Sequence, residues 1–514
     1  MKRILYFVCT ISVLILWSSC RKDFEFSPSN GTLQFSKDTV YLDTVFTNIG
    51  SSTYNLKIYN RSDNDISIPT VRLGEGEGSN YRLNVDGIAG KVFENVEILA
   101  KDSMFIFVET TIDIEALATM DTQFLYTDII EFDSGTNYQK VDLVTLVKDA
   151  IFIYPNRDDT TGVIETLSFD ADGDGTPDET SIQGRFLTDA ELTFTNEKPY
   201  VIYGYAAVDE GKTLEIEAGA RVHFHANSGL LITNTASLEI NGAYSNDQEL
   251  LENEVILEGD RLEPLFEDVP GQWGTIWLFN GSQNNSINYA TIKNATIGIL
   301  SEGNQAAVND KLTITNSQIY NSSNFGILGR ATSITGENVV INNSGQSSFA
   351  GTAGGKYNFT HCTLANYWNT SFRQFPSVLL NNYVLDENNN ATPNNLIAAN
   401  FNNCIIYGND NTELFLDENS NAEFNYMFTN VLLRYQSSNN PIDFDDPLHF
   451  ANILLESNPD FKDGFENMLM IGDNSDAINQ GDLIIAGQVP LDILTVDRTV
   501  SPDLGAYQHT TFED

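Results

Sequence analysis

The residues best placed to do chemistry are the oxygen ligands of one short stretch, Asp170-Ala-Asp172-Gly-Asp174-Gly-Thr176-Pro-Asp178-Glu179. Oxygens at loop positions 1, 3 and 5, a glycine at 6 for the tight turn, a carbonyl at 7 and a carboxylate at 9 are what a calcium ion needs to be wrapped. Position 12 is Ser181, where an EF-hand carries Glu, and no helical pattern flanks the loop. The spacing therefore points to a structural calcium site built from Asp170, Asp172, Asp174, Thr176, Asp178 and Glu179, against a solvated acidic turn as the alternative. It implies no general acid or base.

Cleaving a polysaccharide needs a close pair of carboxylates for hydrolysis, or clustered cations with a base for elimination. Between 285 and 435 the acids are scattered, as with Glu302, Asp310 and Glu337. The cations Lys293, Lys311, Arg330, Lys356 and Arg373 are far apart in sequence, though stacking could gather two or three. No catalytic residue is assigned. His223 and His225 share a strand face without a third metal ligand nearby, and read as packing or a hydrogen-bonded rim. Trp273 and Trp277 on one strand face, and Tyr367 with Trp368, are candidates to stack on sugar C–H faces, although core anchoring is the commoner use. Cys362 and Cys404 are candidates for a disulfide or an inward thiol stack.

Composition bounds these options. The chain has 514 residues, with 27 Lys plus Arg against 71 Asp plus Glu and a net charge of −44. That excludes a nucleic-acid binder, which needs clustered cations. With 41% apolar residues it can bury a core. Lys2 and Arg3 precede an apolar run at 4–17, shorter than the roughly 20 residues of a membrane-spanning helix. The run ends in Trp17-Ser-Ser-Cys20, which resembles a bacterial lipobox, with Trp17 departing from the usual aliphatic residue. Arg21-Lys-Asp-Phe-Glu25 resembles the surface-export signal of Bacteroidetes lipoproteins. These resemblances imply a signal peptide over 1–19, a lipid on Cys20 and a tether over 20–32, anchored in the outer membrane and facing the exterior.

Two architectures follow one another. Residues 33–149 read as short alternating strands with turn residues between them, the pattern of a sandwich. The stretch "FTNIGSSTYNLKIYNRSDNDISI" at 46–68 resembles bacterial immunoglobulin-like modules, which implies a presenting rather than a catalytic role. A connector with the acidic loop spans 150–197. Beyond it a motif recurs: Asn, His or Tyr first, an aliphatic fourth, and Asn or a turn residue sixth. It is centred on Ile292, Ile319, Ile341, Leu364, Ile406 and Leu433. Spacings of 22 and 23 match one coil of a right-handed parallel β-helix, and the gap of 42 is assigned to a loop inserted at 381–395. Stacking would place Ile on Ile and Asn on Asn, and Asn suits the bends because it tolerates left-handed angles. The 55 asparagines are thus a structural signature first.

The order "GKTLEIEAGARVHF", "ASLEING", "GQWGTIW", "INYATIKNATIGI", closed by Ser475-Asp-Ala-Ile-Asn-Gln-Gly-Asp482 and Pro502-Asp-Leu-Gly-Ala-Tyr507, resembles Bacteroidetes β-helix lipoproteins over nearly the whole chain. The expected fold is all-β: a small immunoglobulin-like β-sandwich, then a right-handed parallel β-helix of the pectin-lyase-like kind over 198–435, with its end and cap at 436–514. The expected function is non-enzymatic binding or adhesion at the cell surface, to a glycan or a surface protein. The alternatives are a polysaccharide lyase or hydrolase, and a structural stalk. A groove along one sheet with three or more converging acids, or a Lys and Arg pair with an acid, would favour the enzyme; stacked exposed aromatics without such acids would favour binding, and a smooth Asn and Thr surface the stalk.

Overall fold

The computed structural model describes residues 25–113, 123–158, 160–171, 174–303, 309–436 and 441–512. The chain divides after Asp149 into two compact units. Both are almost entirely β.

In the first unit a six-stranded and a five-stranded sheet share one core. The alternation seen in sequence drives this. Val40 and Leu42 of Thr39–Phe46, Leu56 and Ile58 of Tyr54–Tyr59, and Ile106 and Val108 of Ser103–Thr110 all turn inward and are fully buried. Four strands lie where the sequence pattern was not read as strand: Ser27–Pro28, which lies inside the expected tether and pairs with Ile66–Leu73, Tyr81–Val85, Ile88–Gly90 and Gln123–Phe132.

In the second unit a single 26-stranded sheet winds on itself, its strands paired in parallel from turn to turn apart from the antiparallel hairpin of Thr166–Phe169 with Asp178–Phe186. Tyr200–Ile202 pairs with Arg221–Phe224, Tyr205–Val208 with Gly229–Ile232, and Thr213–Glu217 with Ser237–Asn241. That is the pairing pattern of a β-helix. The expected connector is itself wound into it, because Ile151–Ile153 pairs with Tyr200–Ile202 and the end of Asp178–Phe186 pairs with Tyr205–Val208. The winding also runs past 435, to Phe450–Leu455.

The six motif centres stack in one register, Ile292 on Ile319, Ile341, Leu364, Ile406 and Leu433, all fully buried. Each such burial stabilises by about 1.5–3 kcal/mol. Rings stack the same way: Phe359, Phe401 and Phe428 follow one another at 5.4 and 4.7 Å with planes 11° and 7° apart. Leu364 and Ile406 are one coil apart, and the gap of 42 is an insertion carrying the hairpin Tyr383–Leu385 with Ala391–Pro393.

The first motif position is left-handed in every repeat: Tyr289, Asn316, Asn338, His361, Asn403 and Asn430 have φ between 45° and 53°. Asparagine dominates there because its short amide tolerates this region and bonds the next coil. Asn338 Nδ2 donates to Asn316 Oδ1 at 2.9 Å, and on a second bend Asn343 Nδ2 donates to Asn321 Oδ1 at 2.7 Å. After the last coil the chain doubles back over the outer face. Leu469, Ile493 and Tyr507 pack on Val340 and Ala365. The ladder asparagines also bond this strap: Asn338 to Leu491 O, Asn342 to Gly464 O and Asn430 to Gln480 O.

Candidate functional site

Parallel register turns residues distant in sequence into neighbours about 4.8 Å apart. On the sheet formed by Arg221–Phe224, Val255–Gly259, Ala290–Lys293 and Gln318–Ser322, the outward positions carry charge. His223 stands beside Glu258, and Arg221 beside Ile256 and Thr291. Lys293 Nζ lies 3.0 Å from Glu258 Oε2, and His223 Nδ1 lies 3.5 Å from Glu258 Oε1 and 3.3 Å from Gly259 O. Two acceptors at Nδ1 place the ring proton there. Glu258 keeps 21% of its side chain exposed. On the same strand edge the Thr291 hydroxyl donates to Glu254 Oε2 at 3.0 Å.

Long excursions flank this strand. Arg221 holds the one before it, donating to Leu251 O at 2.8 Å and Glu254 O at 2.7 Å. The one after it is held by Asn294 Nδ2 on Glu267 O and Asn321 Nδ2 on Asp268 Oδ1. Along the sheet the shelf ends at the strap, where the Tyr507 hydroxyl donates to Gln318 Oε1 at 3.2 Å. At the rim, His225 Nδ1 pairs with Asp260 at 2.8 Å and its ring stacks on Tyr203 at 4.3 Å. That hydrogen bond raises the His225 pKa against the opposing effect of burial.

The two glutamates are pulled in opposite directions. Burial alone would raise the Glu258 carboxyl, and the combined charge of His223, Lys293 and Arg221 outweighs it, so its pKa falls below 4.5. Burial dominates at Glu254 and lifts its pKa above 4.5, against the Thr291 hydrogen bond and Arg221. Two carboxyl groups on one strand edge whose surroundings pull their pKa values apart are suited to different roles in acid–base chemistry.

Sequence reasoning read His223 and His225 as packing or a hydrogen-bonded rim; His223 is buried against Glu258 and His225 lies at the rim on Asp260, and Arg221, Glu254 and Glu258 were missed. The signal was present as charges at equivalent outward positions, hidden because Val222, Leu257 and Ile292 stack at intervals of 35 residues rather than 22.

The four aromatic candidates do not form one face. Trp273 is 1% exposed and stacks on Phe224 inside the coils. A bulge between Thr275 and Ile276 reverses the facing, so only Trp277 points outward, donating to Glu302 Oε2 at 2.7 Å. Trp368 is buried and bonds Ser371, and Tyr367 packs edge-on against Phe465 of the strap. Cys362 and Cys404 are adjacent in the stack, buried and unbonded. Their thiols sit near their own turn carbonyls, Thr360 O at 3.3 Å and Asn402 O at 3.2 Å. In-register neighbours also stand farther apart than the roughly 3.8 Å Cβ separation of a disulfide.

The acidic loop is the turn between Thr166–Phe169 and Asp178–Phe186. Asp170 accepts from Gly175 N, Asp174 from Thr176 N, and Asp178 from Ala171 N. Asp172 lies outside the described residues, as does Cys20. Among the described residues no three of His, Cys, Asp and Glu gather to hold a metal, and no helix is long and apolar enough to cross a membrane.

The chain matches no known family profile and no curated protein. Solved structures similar to it include a family 123 glycoside hydrolase from Clostridium perfringens that acts on glycolipid glycans. The match is at 9% identity and TM-score 0.17, over 23% of this chain and 26% of that one, so this chain spans about a quarter of its length. Another is the catalytic unit of a GH87 α-1,3-glucanase from Streptomyces thermodiastaticus, at 9% identity and TM-score 0.22 over 77% and 87%. A GH87 α-1,3-glucanase catalytic domain in complex with tetrasaccharides matches at 10% identity and TM-score 0.12 over 78% and 87%.

Proposed function

We propose that the chain is a polysaccharide-cleaving enzyme that hydrolyses an extracellular glycan on the Glu254–Glu258 shelf. One observation carries this: on the outward face of one sheet Glu258 is paired with Lys293 and His223, while Glu254, four residues earlier on the same edge, is bound by Thr291. Glu258 is the anionic carboxylate that meets positive charge developing on the sugar ring, and Glu254 is the general acid. Glu254 is only 4% exposed, which restricts its proton to a ligand pressed onto Thr291. Lys293 and His223 fix the Glu258 carboxylate in place. This reading displaces non-enzymatic binding as the first expectation, because an acid now sits with an Arg and a Lys on one sheet. The same set favours elimination as a second reading, since the cations could neutralise a uronate carboxylate.

The test is incubation with a panel of neutral and acidic glycans, reading new reducing ends and ultraviolet-absorbing unsaturated ends. Hydrolysis yields the first alone, unsaturated ends would convert the reading to a lyase, and no product across the panel would return the chain to binding. Activity needs Glu258 ionised and Glu254 protonated. The rate is therefore expected to fall at acid pH as Glu258 takes up a proton and at higher pH as Glu254 loses one, a bell bracketing 4.5.

The location we propose is the outer face of the outer membrane, through an acylated Cys20, supported by the residues at 2–25. The first unit serves as the presenting module, in keeping with its immunoglobulin-like sequence. Calcium in the Asp170–Glu179 loop would brace the hairpin that lies on the early coils. A hundredfold excess over Kd should stabilise by about 2.7 kcal/mol. Calorimetry is expected to show a calcium-dependent rise in Tm that Asp174→Asn removes, and an unchanged Tm would eliminate the site.

A further inference from the structure

The outward face of the five-stranded sheet in the first unit departs from the rest of this acidic surface. Lys57 and Tyr59 on Tyr54–Tyr59 alternate outward, as do Phe105 and Phe107 on Ser103–Thr110, and the register sets Lys57 against Phe105 and Asn55 against Phe107. Phe105 and Phe107 are 44% and 43% exposed. Their ring centres lie 6.2 Å apart with planes within 19° of parallel, a stacked apolar pair on the surface. Apolar rings left uncovered side by side on a folded unit mark a binding surface more often than a core defect.

This face carries cations as well. Lys57 Nζ lies 4.9 Å from the centre of the Phe105 ring and 5.5 Å from that of Tyr59, and the Arg61 guanidinium lies 4.3 Å from the Tyr59 ring. In a chain with 71 acidic residues, these two basic groups have ring faces as neighbours, and no carboxylate lies within ion-pair distance of either among the described residues. Cations resting on rings are desolvated on one side and keep their charge for an incoming anion. On their other side Phe105 and Phe107 share a cleft with Asp86, Glu97 and Asp102, and these carboxylates would turn an anionic ligand toward the Lys57 and Arg61 side.

We propose that this face is a binding site for an acidic polysaccharide, with sugar rings lying on Phe105 and Phe107 and the anionic substituents held by Lys57 and Arg61. The occupant must join flat C–H faces to negative charge, which a sugar chain bearing carboxylates or sulfates does. A second copy of this chain, at −44, would meet the site with charge of the same sign as the ligand but would repel itself over the remaining surface. The chain's own net charge does not prevent capture, because it is screened beyond roughly 8 Å at physiological salt while the cations act at contact. The site is independent of the Glu254–Glu258 shelf, and binding and cleavage can fail separately.

The experiment is calorimetric titration of the full chain with a polyuronate, a sulfated glycan and a neutral glucan. The two acidic arms distinguish carboxylate from sulfate recognition. Expected is binding of at least one acidic glycan, weakened tenfold or more by Phe105→Ala with Phe107→Ala and likewise by Lys57→Ala with Arg61→Ala. All four replaced side chains lie on the outward face, so Tm should hold and report that the variants fold. Absence of acidic-glycan binding, binding indifferent to both double variants, or equal binding of the neutral glucan would overturn the proposal.

Discussion

Replacing Glu258 by Gln is expected to abolish glycan cleavage, lowering kcat by about a thousandfold or more, while the chain stays folded. The substitution keeps the shape, gives up one of the two acceptor oxygens that meet Lys293 and His223, and removes the negative charge facing the sugar; preorganised charge of this kind accounts for about 3–4 kcal/mol of barrier per group. A thousandfold loss is about 4 kcal/mol. Glu254→Gln should behave differently. It removes the transferable proton, so the high-pH limb of the rate profile should vanish, and substrates with good leaving groups should recover part of the rate. The measurement is kcat against pH for both variants with Tm recorded alongside. If Glu258→Gln retained more than a tenth of the rate, the shelf would not be the reacting centre.

The second large effect concerns stability. Arg373 and Glu413 form a buried pair with side chains 3% and 0% exposed, joined by two bonds of 2.7 Å. Burial raises the Glu413 carboxyl against the pull of Arg373, and the amides of Ser377 and Asp410 also donate to it. These bonds tie the loop after Thr363–Asn366 to the loop before Leu414–Asp417. Glu413→Gln leaves the buried guanidinium with only the half-exposed Asp410 carboxylate, 3.1 Å away, and breaking a buried pair costs up to about 3–5 kcal/mol. The expected readout is a marked fall in Tm and new proteolysis near Arg373. The double variant Arg373→Met with Glu413→Leu should recover most of that loss, since apolar side chains of similar volume can replace a buried ion pair at little cost. Equal melting of Glu413→Gln and the unaltered chain would show the pair to be dispensable.

How far the molecule could be read from its residues depended on periodicity. Where coils repeat at 22 and 23 residues, the aliphatic centres and the bends were both legible. The residues at the first motif position, including the odd members Tyr289 and His361, all adopt the left-handed angle that favours asparagine. The insertion at 381–395 was legible for the same reason, since the motif resumed in phase after it. The shelf was not legible. Arg221, Glu258 and Lys293 meet only because long excursions intervene between coils, and those excursions stretch the interval and hide the register. Trp273 and Trp277 were read onto one face because the register shift between Thr275 and Ile276, which turns them opposite ways, is invisible in a composition pattern. In the first unit, Gln123–Phe132 was missed although it pairs along its whole length with Gln139–Lys148.

The returning strap changes how the solenoid should respond to force. Coils that touch only their neighbours can peel singly from a free end. Here the strap is stitched to successive turns through Asn338, Asn342, Asn403 and Asn430, and Ala506 N reaches Thr363. Tension applied at the carboxyl end would therefore load these bonds in shear, several at once, before any coil could open. A protein held by its amino end and pulled by whatever it grips would resist as a block and yield in one step.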